Sequence, residues 1–248
     1  MVSSKFKEVN PCSKSGKKVK WMIDKQFMSE IEESLWKDKH EIAGSLLFKD
    51  INCNGDTCDK QFLKDYRVRG EKSSVRTPNG IINYHTHPWQ CYKDEGTAYG
   101  WPSGEDMAIN MFYAKKGTMV HIVFTLEGSY VIKTNVLLKD SDVDILEKLL
   151  KETHVYRLEN QRQQHYDFTK TFNIRGKNTV DIWLKLVNSI SPEMMYKLYN
   201  KIFRKNRKVP NDKRKLFEVV KIPLNKPLVF DANFISRKCH ENHFNNFS

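Results

Sequence analysis

Residues 78–87, PNGIINYHTH, carry the reading on which the fold turns. Pro78-Asn79-Gly80 is a turn signal, and the short apolar run that it launches has the pattern of a buried strand. In a strand, alternate residues share a face, so His85 and His87 point the same way with Thr86 turned from them. Two imidazoles so placed can reach one metal ion. The residues that follow, PWQCYKDEGTAYGWP (88–102), lead on to Ser103 and Asp106.

Working outward, VKWMI (19–23) is a short apolar piece ahead of a helix. From Asp24 to Lys37 the apolar residues Phe27, Ile31 and Leu35 recur every four positions, and Met28 and Trp36 widen the stripe. That spacing predicts an amphipathic helix lying on a sheet. HEIAGSLLFKD (40–50) and QFLKDYRVRG (61–70) flank the Asn54-Gly55 turn and read as a hairpin. Downstream, Ser103 to Tyr113 reads as a helix, and TMVHIVFTL and SYVIKTNV as strands joined at Glu127-Gly128. The order is strand, helix, three strands, long loop, helix, two strands, which predicts a mixed α/β domain over 19–138. Residues 1–18 are polar and lysine-rich, a flexible lead-in. Residues 139–248 change character: 143–163 and 179–206 are helical in pattern, and KLFEVVKIPL (215–224) adds one strand. This C-terminal region is expected to be mainly helical and basic, of unknown role.

At 248 residues and 39% hydrophobic, the chain is long enough for one good-sized core. It has no run of about 18 apolar residues and no apolar leader near its start. A soluble intracellular chain, cytoplasmic or nuclear and without membrane insertion, is expected. Five scattered cysteines argue for reduced thiols. Cys53 and Cys58 flank the hairpin turn and would pair only on oxidation. The net charge of +12 implies affinity for something acidic. Residues 201–215 hold eight basic residues and one acid, and a solvated helix end is preferred there over a nucleic-acid contact. Cys239, His240 and His243 offer three ligands without a fourth, so no second zinc is assigned to them.

His-x-His alone is weak. Asp106, at the start of the next helix, can deliver a third ligand and leave a fourth position open, the mark of a catalytic zinc site. Ser103-x-x-Asp106 also reads as a capping box, and both roles can coexist. Glu41 opens an apolar strand, where a buried acid signals that something nearby needs it.

Taken together, Glu41 in EIAGSLL, His85-Thr86-His87-Pro88 and Ser103-Gly104-Glu105-Asp106 resemble the JAMM motif of the MPN-plus metalloprotease family over residues 19–138. The resemblance implies an MPN-type α/β fold, a mixed sheet flanked by helices with cytidine-deaminase-like layering. It implies that His85, His87 and Asp106 hold Zn2+, that Glu41 is the general base, and that Ser103 donates to the oxyanion. It further implies hydrolysis of an isopeptide or peptide bond, with removal of ubiquitin or a ubiquitin-like modifier from lysine as the expected reaction. A non-catalytic scaffold of the same family, or a nucleic-acid-associated factor using the basic C-terminal region, are the alternatives; retention of all five motif residues argues against the scaffold. The family pattern is departed from at one place. Fifteen residues separate His87 from Ser103, about twice the family's usual gap. This insertion, with Trp89, Tyr92, Tyr99 and Trp101, reads either as a lid over the site or as a brace packed on the domain.

Overall fold

The computed structural model describes residues 18–54, 57–71, 74–95, 100–102, 104–134, 217–224 and 226–231. Residues 1–17 of the expected lead-in, the helices expected at 143–163 and 179–206, the basic stretch 201–215, the cluster at 239–243 and Ser103 lie outside these, whereas Lys18 already belongs to a strand.

The chain opens with β1 (Lys18–Ile23) and α1 (Lys25–Lys37), followed by the hairpin of β2 (Ile42–Asn54) and β3 (Thr57–Arg69). Next come β4 (Ile82–His87), α2 (Trp89–Glu95), α3 (Gly104–Lys115), β5 (Val120–Thr125) and β6 (Gly128–Thr134). Two late strands, β7 (Phe217–Ile222) and β8 (Leu228–Asp231), complete one sheet in the order β7-β6-β5-β4-β2-β3-β1-β8. β4 pairs antiparallel with β2 and parallel with β5.

The spacing that predicted α1 is what buries it. Phe27, Met28, Ile31 and Leu35 form its inner stripe, and Asp24 caps its start by accepting from the Phe27 N–H at 2.8 Å, a contribution of about 1 kcal/mol. The Phe27 ring meets Phe62, Tyr84 and Phe124 at centroid distances of 4.7, 5.9 and 6.2 Å. Each such apolar side chain contributes roughly 1.5–3 kcal/mol by leaving water. Tyr84 therefore belongs to the α1 face of the sheet, and strand alternation sends His85 and His87 to the other face. There α3 packs, through Tyr113 against His121 (centroids 5.3 Å) and Asn110 donating to Thr134 at 2.7 Å. At Gly44 the Tyr84 ring fills the space of a side chain: a Cβ there would sit 2.5 Å from Tyr84 Cε1.

The sheet bends round on itself. Residues 223–227 join the two edge strands. At no more than about 3.5 Å per residue, they cannot cross a flat sheet of eight strands spaced about 4.8 Å apart. Lys133 on β6 reaches the Asp231 carbonyl on β8 at 3.1 Å, so opposite ends of the strand order come within one side chain of each other. The result is a nearly closed, barrel-like sheet, and among the described residues strand outnumbers helix.

This corrects the expected fold class, a helix-flanked MPN-type mixed sheet with a mainly helical C-terminal region. The described C-terminal residues are strands, and they form both edges of the sheet. β7 falls where KLFEVVKIPL was expected to add a strand. β8 is only LVFD between Pro227 and the end of the described segment, too short for periodicity to reveal. α2 was also unforeseen, because its seven residues had been read as part of a loop.

Cys53 and Cys58 stand directly opposite one another at the end of the β2–β3 hairpin, and their sulfurs are bonded. Reduced thiols had been the expectation. Cys91 is buried and is not part of a disulfide. Among the described residues, no helix is long and apolar enough to cross a membrane.

Candidate metal centre

β4 is buried along almost its whole length and ends at the site. Its parallel partner β5 and antiparallel partner β2 satisfy its backbone on both sides, so the direction of its side chains is fixed by alternation alone. His85 and His87 project together. α3 begins beside them and presents Asp106 from its first turn, where a carboxylate is favoured by the positive end of the helix dipole.

The three side chains expected as ligands come together. His85 Nε2 lies 2.9 Å from His87 Nε2, 3.3 Å from Asp106 Oδ1, and His87 Nε2 lies 3.8 Å from Asp106 Oδ2. Their ligand atoms all fall within 4.8 Å of one another. In a tetrahedral zinc site with ligand bonds of about 2.0–2.1 Å, neighbouring ligand atoms stand about 3.3 Å apart. The observed separations bracket that value, and a two-histidine, one-carboxylate set suits zinc. The residues present therefore fit the ion.

Glu41 precedes β2 and is buried. Ala43 is level with His85 in the β2–β4 register, so Glu41, two residues earlier, comes level with His87 on the same face. Its backbone is held by Gly70 and Glu71, at 2.8 and 3.1 Å. The Cys91 thiol from α2 approaches Glu41 Oε1 at 3.8 Å. Ile42 N–H donates to Thr86 Oγ1 at 2.9 Å, tying the first residue of β2 to the residue between the histidines.

The outer nitrogens of both histidines are occupied. His87 Nδ1 donates to the Gly100 carbonyl at 2.8 Å. His85 Nδ1 faces His121 Nε2 at 2.7 Å, and His121 Nδ1 faces Asn83 Oδ1 at 2.7 Å. Burial works to lower the His85 pKa, but the Asp106 and Glu41 carboxylates outweigh it and raise it. The site thus favours positive charge. Burial, with His85 beside it, holds His121 well below the ordinary histidine range.

The insertion between His87 and Ser103 is packed down at most of its described residues, with Asp94 exposed. Cys91, Tyr92, Trp101 and Pro102 are buried, and Trp89 sits between Tyr92 and Trp36. Gly100 donates its N–H to Glu127 Oε1 at 2.7 Å, the Tyr92 hydroxyl donates to Glu127 Oε2, and Leu126 N–H donates to the same hydroxyl at 3.1 Å. These are the contacts of a brace. They run from the β5–β6 turn through Gly100 to His87.

Sequence reasoning reached Glu41, His85, His87 and Asp106 but missed His121, Asn83, the Gly100 carbonyl and Glu127. In the sequence His121 stands inside the strand run TMVHIVFTL with no motif around it. The signal was available in kind: a basic residue inside the apolar run MVHIVF is as anomalous as Glu41 at the head of IAGSLL.

No protein-family profile matches the chain, and no solved structure matches it. A stretch of 85 residues is 27% identical to Uncharacterized protein 3R of Frog virus 3 (isolate Goorha), covering 32% of this chain. The matched stretch spans 19% of that relative's own length.

Proposed function

We propose that the chain is a zinc-dependent hydrolase of the JAMM type, cleaving an isopeptide or peptide bond, with a ubiquitin or ubiquitin-like conjugate as substrate. The observation that supports it is the head-on approach of His85 Nε2 and His87 Nε2 at 2.9 Å beside the Asp106 carboxylate. The ring centroids are 4.8 Å apart, as expected when the N···N contact lies along the line of centres, so the lone-pair directions oppose each other. His87 spends its proton on the Gly100 carbonyl, which leaves its Nε2 bare. Acceptors converging in a buried place are costly unless a cation joins them.

Zinc bound there would supply a Lewis acid and lower the pKa of water to about 7. Glu41, buried on the same face, takes a proton as general base and returns it to the departing amine, which for an isopeptide is the ε-amine of lysine. Such a group is worth about 10²–10⁴ in rate. Ser103, by its place in the motif, donates its hydroxyl to the oxyanion, a contact worth about 3 kcal/mol. The braced insertion excludes water from one side of the centre.

The test is incubation of the zinc-loaded protein with a panel of ubiquitin dimers, using Glu41→Gln as the control. Cleavage of at least one linkage that depends on Glu41 is the expected result. A zinc-loaded protein that cleaves none of them, or one whose cleavage survives Glu41→Gln, ends this reading.

A further inference from the structure

We infer that His121 and Asn83 are positioning residues that determine which nitrogen of His85 is presented to the metal; the inference rests on the zinc reading of His85, His87 and Asp106. Both are fully buried in the centre of the sheet. β4 and β5 run parallel with Asn83 level with His121, and alternation puts Asn83 and His85 on one face. The register itself assembles the row.

With one proton on each ring, the hydrogen bonds in this row run in one direction. Asn83 Nδ2 donates to the Pro78 carbonyl at 3.3 Å. A carbonyl only accepts, so the amide nitrogen of Asn83 is committed to Pro78 and its oxygen faces His121. His121 Nδ1 must then carry the proton, 2.7 Å from Asn83 Oδ1. The neutral ring is left with a bare Nε2, 2.7 Å from His85 Nδ1. The two ring centroids are 4.9 Å apart and the planes differ by 26°. That separation is what end-to-end rings give, so the contact is an in-plane hydrogen bond and not face stacking. His85 Nδ1 therefore holds its proton, and His85 Nε2 is bare toward His87 and Asp106.

His85 and His87 thus receive their tautomers from two separate sources, one from the carbonyl of Pro78 through the side chains of Asn83 and His121 and the other from the carbonyl of Gly100. An outer partner of this kind orients a ligand and typically contributes 10- to 100-fold in metal affinity. The hydrogen bond through which His121 acts on the proposed metal position is the one to His85 Nδ1.

The experiment measures zinc affinity by competition with a chromophoric chelator, and the His85 tautomer by nitrogen NMR of the zinc-free protein. The wild type should show His85 protonated at Nδ1. His121→Leu should bind zinc 10- to 100-fold more weakly and lose that signature. His121→Gln, whose amide oxygen can accept from His85, should recover most of both. If His121→Leu does not fold, Asn83→Asp, which keeps an acceptor for His121, and Asn83→Leu, which does not, make the same comparison. Wild-type zinc affinity in both leucine variants, or a wild-type His85 protonated at Nε2, overturns the inference. A wild type that binds no zinc but shows the Nδ1-protonated tautomer refutes the zinc reading and leaves the relay standing.

Discussion

Gly100 is gripped by Glu127 from one side, N–H to carboxylate at 2.7 Å, while its own carbonyl holds His87 Nδ1 at 2.8 Å. One residue thus couples the β5–β6 turn, which follows Thr125 level with His87 on the adjacent strand, to a proposed zinc ligand. A Cβ on Gly100 would lie 1.9 Å from the Tyr92 hydroxyl oxygen, so Gly100→Ala must displace either the backbone or the Tyr92 ring. Overpacking of this kind costs about 1–3 kcal/mol. The expected result is a lower melting temperature together with weaker zinc binding, because His87 loses its anchor. A variant that melts earlier but binds zinc as tightly as the wild type would show that the Gly100 carbonyl is dispensable to His87.

Glu127 offers a pH test that does not involve the metal ligands. Burial raises its pKa, and hydrogen bonds from Tyr92 and Gly100 and the charge of Lys221 only partly oppose this. A carboxyl raised in the folded state stabilises fully below its unfolded value of about 4.3, and that contribution is lost as pH climbs through the folded value. Glu127→Gln keeps an acceptor for Gly100 and cannot ionise. Urea midpoints measured from pH 5 to 8 should therefore fall more steeply for the wild type than for the variant. Parallel profiles would contradict the shift.

Asp106→Asn and Glu41→Gln should separate ligand from base. The first replaces a ligating carboxylate and should lower zinc content in purified protein well below one ion per chain. The second should leave zinc in place and reduce turnover by at least about a hundredfold. Zinc loss in Glu41→Gln, with retention in Asp106→Asn, would reverse the two roles.

Shortening residues 88–102 should lower thermal stability. Cys91, Tyr92 and Trp101 are core residues, and removal of a buried aromatic costs about 3–5 kcal/mol. A freely closing lid would instead allow a deletion that keeps its melting temperature and loses only catalytic efficiency. Differential scanning calorimetry beside kinetics on one deletion decides between them.

The parts of the site legible in the sequence depend on short-range geometry. His85 and His87 share a face because strands alternate. Asp106 stands at a helix start, and Glu41 is conspicuous as an acid heading an apolar strand. The His121–Asn83 pair is different in kind, since it exists only once β4 and β5 are placed side by side in parallel register. Nothing local to either residue announces the other. The same holds for Glu127, which meets Gly100 across 27 positions. The hairpin was legible from Asn54-Gly55 and its flanking runs, and α1 from its four-residue spacing. The fold class was misjudged because the late strands are short and their role lies in where they dock. α2 hid in an insertion whose aromatic residues looked like loop decoration.

The clasp formed by residues 217–231 has a consequence for the birth of the protein. The metal-binding face is written between residues 41 and 134, and it leaves the ribosome long before the segment that seals the two rims, as the 98-residue span from Lys133 to Asp231 makes plain. Until then β6 and β1 each present a ladder of unpaired amides and carbonyls, the templates on which chains stick to one another. Contacts so distant in sequence also form slowly. Nascent chains should therefore pass through a sticky interval, and a polypeptide ending near residue 134 should self-associate in solution even though every proposed zinc ligand is present. Sedimentation of that fragment as a monomer would show that the rims protect themselves without the clasp.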